Sequence, residues 1–235
     1  MRKIIRIAKA CIRLPIDVWQ LFITYLPGPT GDCLRYRFWI RRLKFLGKGV
    51  KIDVGVFFQN SQFISVGDNC WIDRNVLILA GPSGSDRTIF MKTTPEFEGD
   101  IGVVNIGRNT HIAPNCVLSG IGGLHIGQNC GIASNTGIYS FSHHYRNLGK
   151  PMDTWQYSFT PLARPNQQSM VLGPVVIEDF CAIGLNCVIL PGTVLGKGTW
   201  IGSGSVIADK YPQQTLVSRK KSVSTKSLNN LKIME

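Results

Sequence analysis

Between Ile177 and Ala208 the chain repeats itself every six residues. Aliphatic residues stand at Ile177, Ile183, Ile189, Leu195, Ile201 and Ile207, and a small or compact residue follows four positions later at Cys181, Cys187, Thr193, Thr199 and Ser205. Gly or Ala comes directly after the aliphatic at Gly184, Gly196, Gly202 and Ala208. An amphipathic helix buries residues at a period of about 3.6 and a half-buried strand at a period of about 2, so neither gives this spacing. A short fixed period belongs to a solenoid in which each unit is one short strand and one tight corner. The aliphatic and the small residue then point inward, and Gly or Asn makes the corner.

The frame recurs upstream. Ile106, Ile112 and Leu118 carry it with Thr110 and Cys116 at the small position. After a slip of two residues it resumes at Ile126, Ile132 and Ile138 with Cys130 and Thr136. A weaker set begins at Val66, Ile72 and Ile78 with Cys70 and Val76. The frame lapses over about 80–103 and again over about 144–173, two loops that project from the solenoid and are the places to look for function. The resulting division is a basic helical segment over 1–47, a solenoid over 48–212 and a basic tail over 213–235.

Composition supports a buried core, with 44% hydrophobic and 17% charged residues. The net charge of +12 is uneven: residues 1–51 hold twelve Lys/Arg against two Asp/Glu, whereas residues 52–209 hold eight against eleven. The basic ends therefore point to an anionic partner, and the solenoid body does not. Five of the seven cysteines occupy the inward small position, where a free thiol packs as a small hydrophobe, and a reducing cytoplasm is the simplest setting.

Residues 1–14 plot as an amphipathic helix with Arg2, Arg6, Lys9 and Arg13 on one face, and an apolar run continues from Ile16 to Leu26. The run is interrupted too early to cross a bilayer, which takes roughly 20 apolar residues, so the expectation is a helix lying against an anionic membrane surface or packed on the protein. A second helix is predicted from Asp32, as N-cap, to Leu46, with Gly47 as its stop. Its arginines and aromatics suit a membrane-facing or capping role better than nucleic acid, which is not expected as a partner.

Of the four histidines, His111 and His125 read as corner residues, whereas His143 and His144 stand where the frame breaks into the second loop. The ordinary pKa of imidazole lies near neutrality, which lets such a residue take a proton from a hydroxyl.

The segments IGRNTHIAPNCVL, IGQNCGIASNTGIYSFSHHYRN and VVIEDFCAIGLNCVILPGTVLGKGTWIGSGSVIADKYP resemble the hexapeptide-repeat acyltransferases, and more narrowly the sugar O-acetyltransferases of bacterial capsule, exopolysaccharide and lipopolysaccharide synthesis. The resemblance implies an all-β fold, a left-handed parallel β-helix, assembled as a homotrimer with sites between subunits. It implies transfer of acetyl from acetyl-CoA to a hydroxyl of a sugar or glycan acceptor that is free, nucleotide-linked or lipid-linked, with no metal. An amino-sugar acceptor, a γ-carbonic-anhydrase-like metal site on His111, His143 and His144, and a non-catalytic scaffold are the alternatives. The family's catalytic histidine follows the coil written I-A-x-N, which here is Ile132-Ala133-Ser134-Asn135, and the matching position is His143. The acceptor is expected near His144, Tyr139, Ser142, Asn135, Arg146 and Trp155. CoA is expected along Ala182, Gly184 and Leu185, along Gly202 and Ser203, and at Lys220 and Lys221. The location implied is cytoplasmic, peripheral on the inner face of the membrane.

Overall fold

The computed structural model describes residues 15–84, 88–150, 152, 154–218 and the backbone of 225–227. The expectations for residues 1–14, Lys220 and Lys221 lie outside the described residues.

Each turn of the chain lays down three short strands, and each strand pairs in parallel with its equivalent in the next turn. The result is a left-handed parallel β-helix with three faces. Face A stacks Phe45–Leu46, Ile64–Val66, Val104–Ile106, Leu124–Ile126, Val175–Ile177, Val194–Leu195 and Lys210–Tyr211. Face B stacks Lys51–Ile52, Trp71–Ile72, His111–Ile112, Gly131–Ile132, Ala182–Ile183, Trp200–Ile201 and Thr215–Val217. Face C stacks Phe57–Gln59, Leu77–Leu79, Val117–Ser119, Gly137–Tyr139, Val188–Ile189 and Val206–Ile207.

The register puts like on like. On face B, Ile52, Ile72, Ile112, Ile132, Ile183, Ile201 and Val217 form one inward column, each at most 4% exposed. Full burial of such a side chain stabilises by about 1.5–3 kcal/mol, and the column repeats on the other two faces. The inward small position serves a second purpose. Cys70, Cys116, Cys130, Cys181 and Cys187 direct their thiols at the corner carbonyls of Gly107, Ala133, Glu178, Gly196 and Gly202 in the next turn. Thr110 and Thr136 donate in the same way to Gly127 and Gly184 at 2.9 Å. Cysteine and threonine alternate there because each is small enough for the wall and each donates upward.

Two of the three corners are uniform. Gly49, Asn69, Asn109, Asn129, Phe180, Gly198 and Gln214 hold the left-handed conformation between faces A and B, and Gly55, Asn75, Asn115, Asn135, Asn186 and Gly204 hold it between faces B and C. Asn adopts this region at small cost, and its side chain can bond locally. Here neighbouring turns also link through it, Asn109 to Asn129 at 3.1 Å and Asn75 to Asn115 at 3.3 Å. Phe180, with φ of 60°, is the bulky exception.

The ends differ from the sequence reading in three ways. The helix read as starting at Asp32 runs instead from Gly28 to Trp39, with Pro27 at its N-cap. Proline fixes φ at a helical value and lacks a donor that the first turn would leave unpaired, so Pro29 starts this helix earlier than Asp32 does. Residues 45–46, assigned to that helix, are already a strand of the first turn, pairing with Ser65 and Val66. The solenoid also passes 212, since Leu216 and Val217 pair with Trp200 and Ile201. A helix over residues 15–25 (α1) precedes Gly28–Trp39 (α2), and the two cover the open end of the first turn through Ile23, Phe38 and Trp39.

Candidate active site

Both long excursions leave from the third corner, between faces C and A. The first spans 81–103 and the second 141–174, two turns further up. They meet in a small sheet of their own, in which Ser169–Leu172 pairs antiparallel with Phe141–His143 and parallel with Thr88–Met91. The step into this sheet is held tightly. Ser140, fully buried, donates its hydroxyl to the Ser119 carbonyl at 2.8 Å and accepts the Gly122 N–H at 2.8 Å. Its carbonyl accepts the Gly173 N–H, which closes the second loop at its base.

That geometry fixes His143, the last residue of its strand and opposite Met170. The His144 N–H donates to the Ser169 carbonyl at 2.8 Å, which locks the backbone beyond it. The His143 ring lies 5.1 Å from the Phe159 ring, and its Nε2 is buried without a hydrogen-bond partner among the described residues. A buried polar atom without a partner costs free energy unless something else supplies the bond, which makes this nitrogen the one to explain. Phe159 also borders a cleft of about 950 Å³ in the second loop, lined with it by Tyr145, Trp155, Tyr157, Asn166 and Gln167.

The expected acceptor residues divide. Tyr139, Ser142, His143 and His144 sit together at this corner, with Tyr139 laid over Gly137 of its own strand. His144 is turned aside: its Nδ1 lies 2.8 Å from the Arg146 carbonyl, and its ring stacks on Tyr145 at 4.8 Å. Arg146 faces Tyr145 at 5.4 Å, and Trp155 is 77% exposed at the rim of the cleft. Asn135 is not among them. It stands at the opposite edge of face C, at φ of 61°, where it forms a corner.

The expected CoA residues also lie on that opposite edge. Moving up the corner from face B to face C, the residue after the inward aliphatic is Asp53, Asp73, Ala113, Ala133, Gly184 and then Gly202. The two aspartates close their own turns, accepting the N–H of Val54 and of Arg74. From the third turn upward the position has little or no side chain, so the edge becomes a smooth strip ending in Gly184-Leu185 and Gly202-Ser203. Ala182 faces outward on the adjoining strand. The face C strand Val188–Ile189 stands between the corner at Leu185-Asn186 and the edge that carries His143, so one chain holds the two sets on different edges.

Two sequence readings of histidine change. His111 and His125 are not corner residues but outward strand residues on faces B and A. The two-residue slip is absorbed before His125, in the turn closed by the Gly123 N–H on the Gly120 carbonyl at 2.9 Å. His111 stacks on Trp71 at 5.1 Å and faces Asp73 at 3.4 Å, a face away from His143, so the three-histidine metal set is not assembled. Among the described residues no group of three or more His, Cys, Asp or Glu side chains converges. A second hollow of about 340 Å³ on face A is lined by Glu96, Glu98, Glu178 and His125, an acidic setting that repels phosphates. Sequence reasoning missed Phe159, the wall of the His143 site, because it lies inside the loop where the period gives no guide.

Residues 174–208 match the profile of the hexapeptide repeat of succinyl-transferase. The chain is 26% identical over 117 residues to the putative lipopolysaccharide biosynthesis O-acetyl transferase WbbJ of Escherichia coli K12, a match over 50% of this chain and 57% of that protein. It therefore spans little more than half the length of that relative. It is also 26% identical over 166 residues to the dTDP-4-amino-4,6-dideoxy-D-glucose acyltransferase of Escherichia coli, covering 71% of this chain and 72% of that one. The fold superposes with a TM-score of 0.62 on AntD, an N-acyltransferase from Bacillus cereus in complex with dTDP and 3-hydroxybutyryl-CoA, at 16% identity over 87% of this chain and 89% of that one.

Proposed function

We propose that this chain is a hexapeptide-repeat acyltransferase, a reading supported by the match of residues 174–208 and by its relatives, and that it transfers an acyl group, acetyl in the simplest case, from a CoA thioester to a sugar hydroxyl in surface polysaccharide synthesis. The observation that carries this reading is the unpartnered Nε2 of His143 at the mouth of the second loop. With its proton on Nδ1, the neutral ring presents Nε2 as an acceptor. His143 takes the proton of the attacking hydroxyl as the oxygen bonds to the acyl carbon, and returns it to the sulfur as the carbon–sulfur bond breaks. A hydroxyl needs this help more than an amine does. Most of the remaining rate comes from holding both substrates in line.

The smooth strip at Ala133, Gly184 and Gly202 suits a slender thioester arm, because no side chain stands in its way. Since that strip and His143 lie on different edges, the site is completed between copies: the His143 edge of one against the small-residue edge of the next. A closed ring of three such contacts is the homotrimer that three edges accommodate.

A second reading has its own support. Of the two relatives, the one matched over the greater share of this chain is named for an amino sugar, and the structural neighbour is an N-acyltransferase. Acyl transfer to hydroxyl sugars and to a dTDP-linked amino sugar, followed by release of the thiol, separates the two. An alkali-labile product supports the ester. An alkali-stable product formed only with the amine supports the amide and overturns the hydroxyl reading.

A further inference from the structure

α1 is fastened to the solenoid along one line. Arg35, 1% exposed, donates from Nη1 to the carbonyls of Ile23 at 3.1 Å and Leu26 at 2.6 Å, and from Nε to the Ile52 carbonyl of the first turn at 2.7 Å. The Gly55 N–H donates to the Thr24 carbonyl at 3.0 Å, and the Ile23 side chain is buried. The helix is therefore held rigidly, and which side it turns outward is fixed.

The outward side is apolar without interruption. Val18, Trp19, Leu21, Phe22 and Tyr25 are each 49–60% exposed, and Trp19 stacks on Phe22 at 5.7 Å. At about 3.6 residues per turn these five fall on one arc of about 160°, whereas Asp17, Gln20 and Thr24 lie off it. An aromatic side chain covers roughly 150–250 Å² when buried, so this arc leaves several hundred Å² of apolar surface open on a small protein. A surface helix ordinarily turns its polar side to water, and α1 reverses that rule.

The end of the prism that α1 covers is also basic. Arg37, Arg41, Arg42, Lys44 and Lys48 are all exposed at this end of the prism, with Arg42 seated over the Phe38 ring at 3.6 Å. Asp17 and Asp68 oppose them, Asp68 accepting the Lys48 N–H at 2.7 Å, whereas Asp32 is already paired with Arg35. We infer that α1 is the seat of an anionic lipid surface: the arc from Val18 to Tyr25 enters the head-group region in the plane of the membrane, and Arg41, Arg42, Lys44 and Lys48 meet lipid phosphates. That basic end selects this occupant. A contact between copies of this chain would set the same positive charges against one another, whereas phosphates neutralise them. Trp19 and Tyr25 are the residue types that sit at the lipid–water boundary. Among the described residues no helix is long and apolar enough to cross a membrane.

The test floats the full chain with phosphatidylcholine vesicles, with and without phosphatidylglycerol, at low salt. Binding is expected only to the anionic vesicles, falling about tenfold in Leu21→Ser/Phe22→Ser and about twentyfold in Arg41→Gln/Lys44→Gln, at roughly fivefold per charge. The second variant leaves the arc untouched, so it decides the matter if the first fails to fold. No binding of the unaltered chain, or binding unchanged in the charge variant, overturns the inference. A lower mass by light scattering in the serine variant, with vesicle binding retained, assigns the arc to a contact between copies and overturns it equally.

Discussion

The edge between faces B and C and the edge between faces C and A are made by the same repeating chain, yet they have opposite characters. Along the first, every turn closes at Gly55, Asn75, Asn115, Asn135, Asn186 or Gly204, and no residue is inserted. Along the second, two of the turns open into loops that pair with one another and present His143. A solenoid needs its inward columns and enough closed corners to stack; it does not need all three corners closed. The uniform edge carries stacking, and the broken edge is free to carry chemistry.

The sharpest way to break this comparison is His143→Ala. Removal of the general base should lower turnover by about 10²–10⁴-fold while the melting temperature stays within a degree or two, measured by thiol release and by calorimetry. A large fall in melting temperature would move His143 from the working edge to the structural one. The reverse substitution on the uniform edge is Asn115→Val. A β-branched residue forced into the left-handed region should cost about 1–3 kcal/mol in urea unfolding, with turnover per folded molecule unchanged.

The sequence foretold the two edges unequally, for a physical reason. Inward columns repeat every six residues because each turn meets an identical copy of itself, so Ile177 to Ile207 could be read directly. Of the first turn only Phe45–Leu46 was misassigned, to the preceding helix, because a two-residue strand with no earlier turn behind it shows no period. The start of α2 was misplaced because proline outweighs aspartate there. Nothing periodic announces that Thr88–Met91 pairs with Ser169–Leu172, some eighty residues away, and so Phe159 was invisible, although Trp155 at the rim of the same cleft was singled out. His143 itself was legible as a residue where the pattern stops and as the position that follows the coil Ile132-Ala133-Ser134-Asn135.

Smaller effects sharpen the account of the wall. Cys130→Val keeps volume but removes the thiol that reaches the Glu178 carbonyl at 3.2 Å, and should cost about 1 kcal/mol, whereas Cys130→Ser should cost less. Burial pushes the thiols of Cys130 up to about 11 and of Cys181 up to about 12. The folded chain thus keeps protons that the unfolded chain releases from pH 9 upward. Stability is at full strength below that pH and falls as pH rises toward 11, and urea midpoints should decline over this window, less steeply in Cys130→Val. The smallest effect is expected at Phe180, the aromatic among the left-handed corners. Phe180→Asn should raise stability by about 0.5–1 kcal/mol, less whatever its contact with Lys197 at 5.2 Å contributes.

The comparison rests on the broken edge being where the acyl group changes hands, and a crystal structure of the complex with CoA tests that directly. The account predicts a thiol within about 3–4 Å of His143 Nε2, with the pantetheine arm along Gly184 and Gly202 of a neighbouring copy. A thiol seated in the acidic hollow of face A, or on any edge remote from His143, would contradict it.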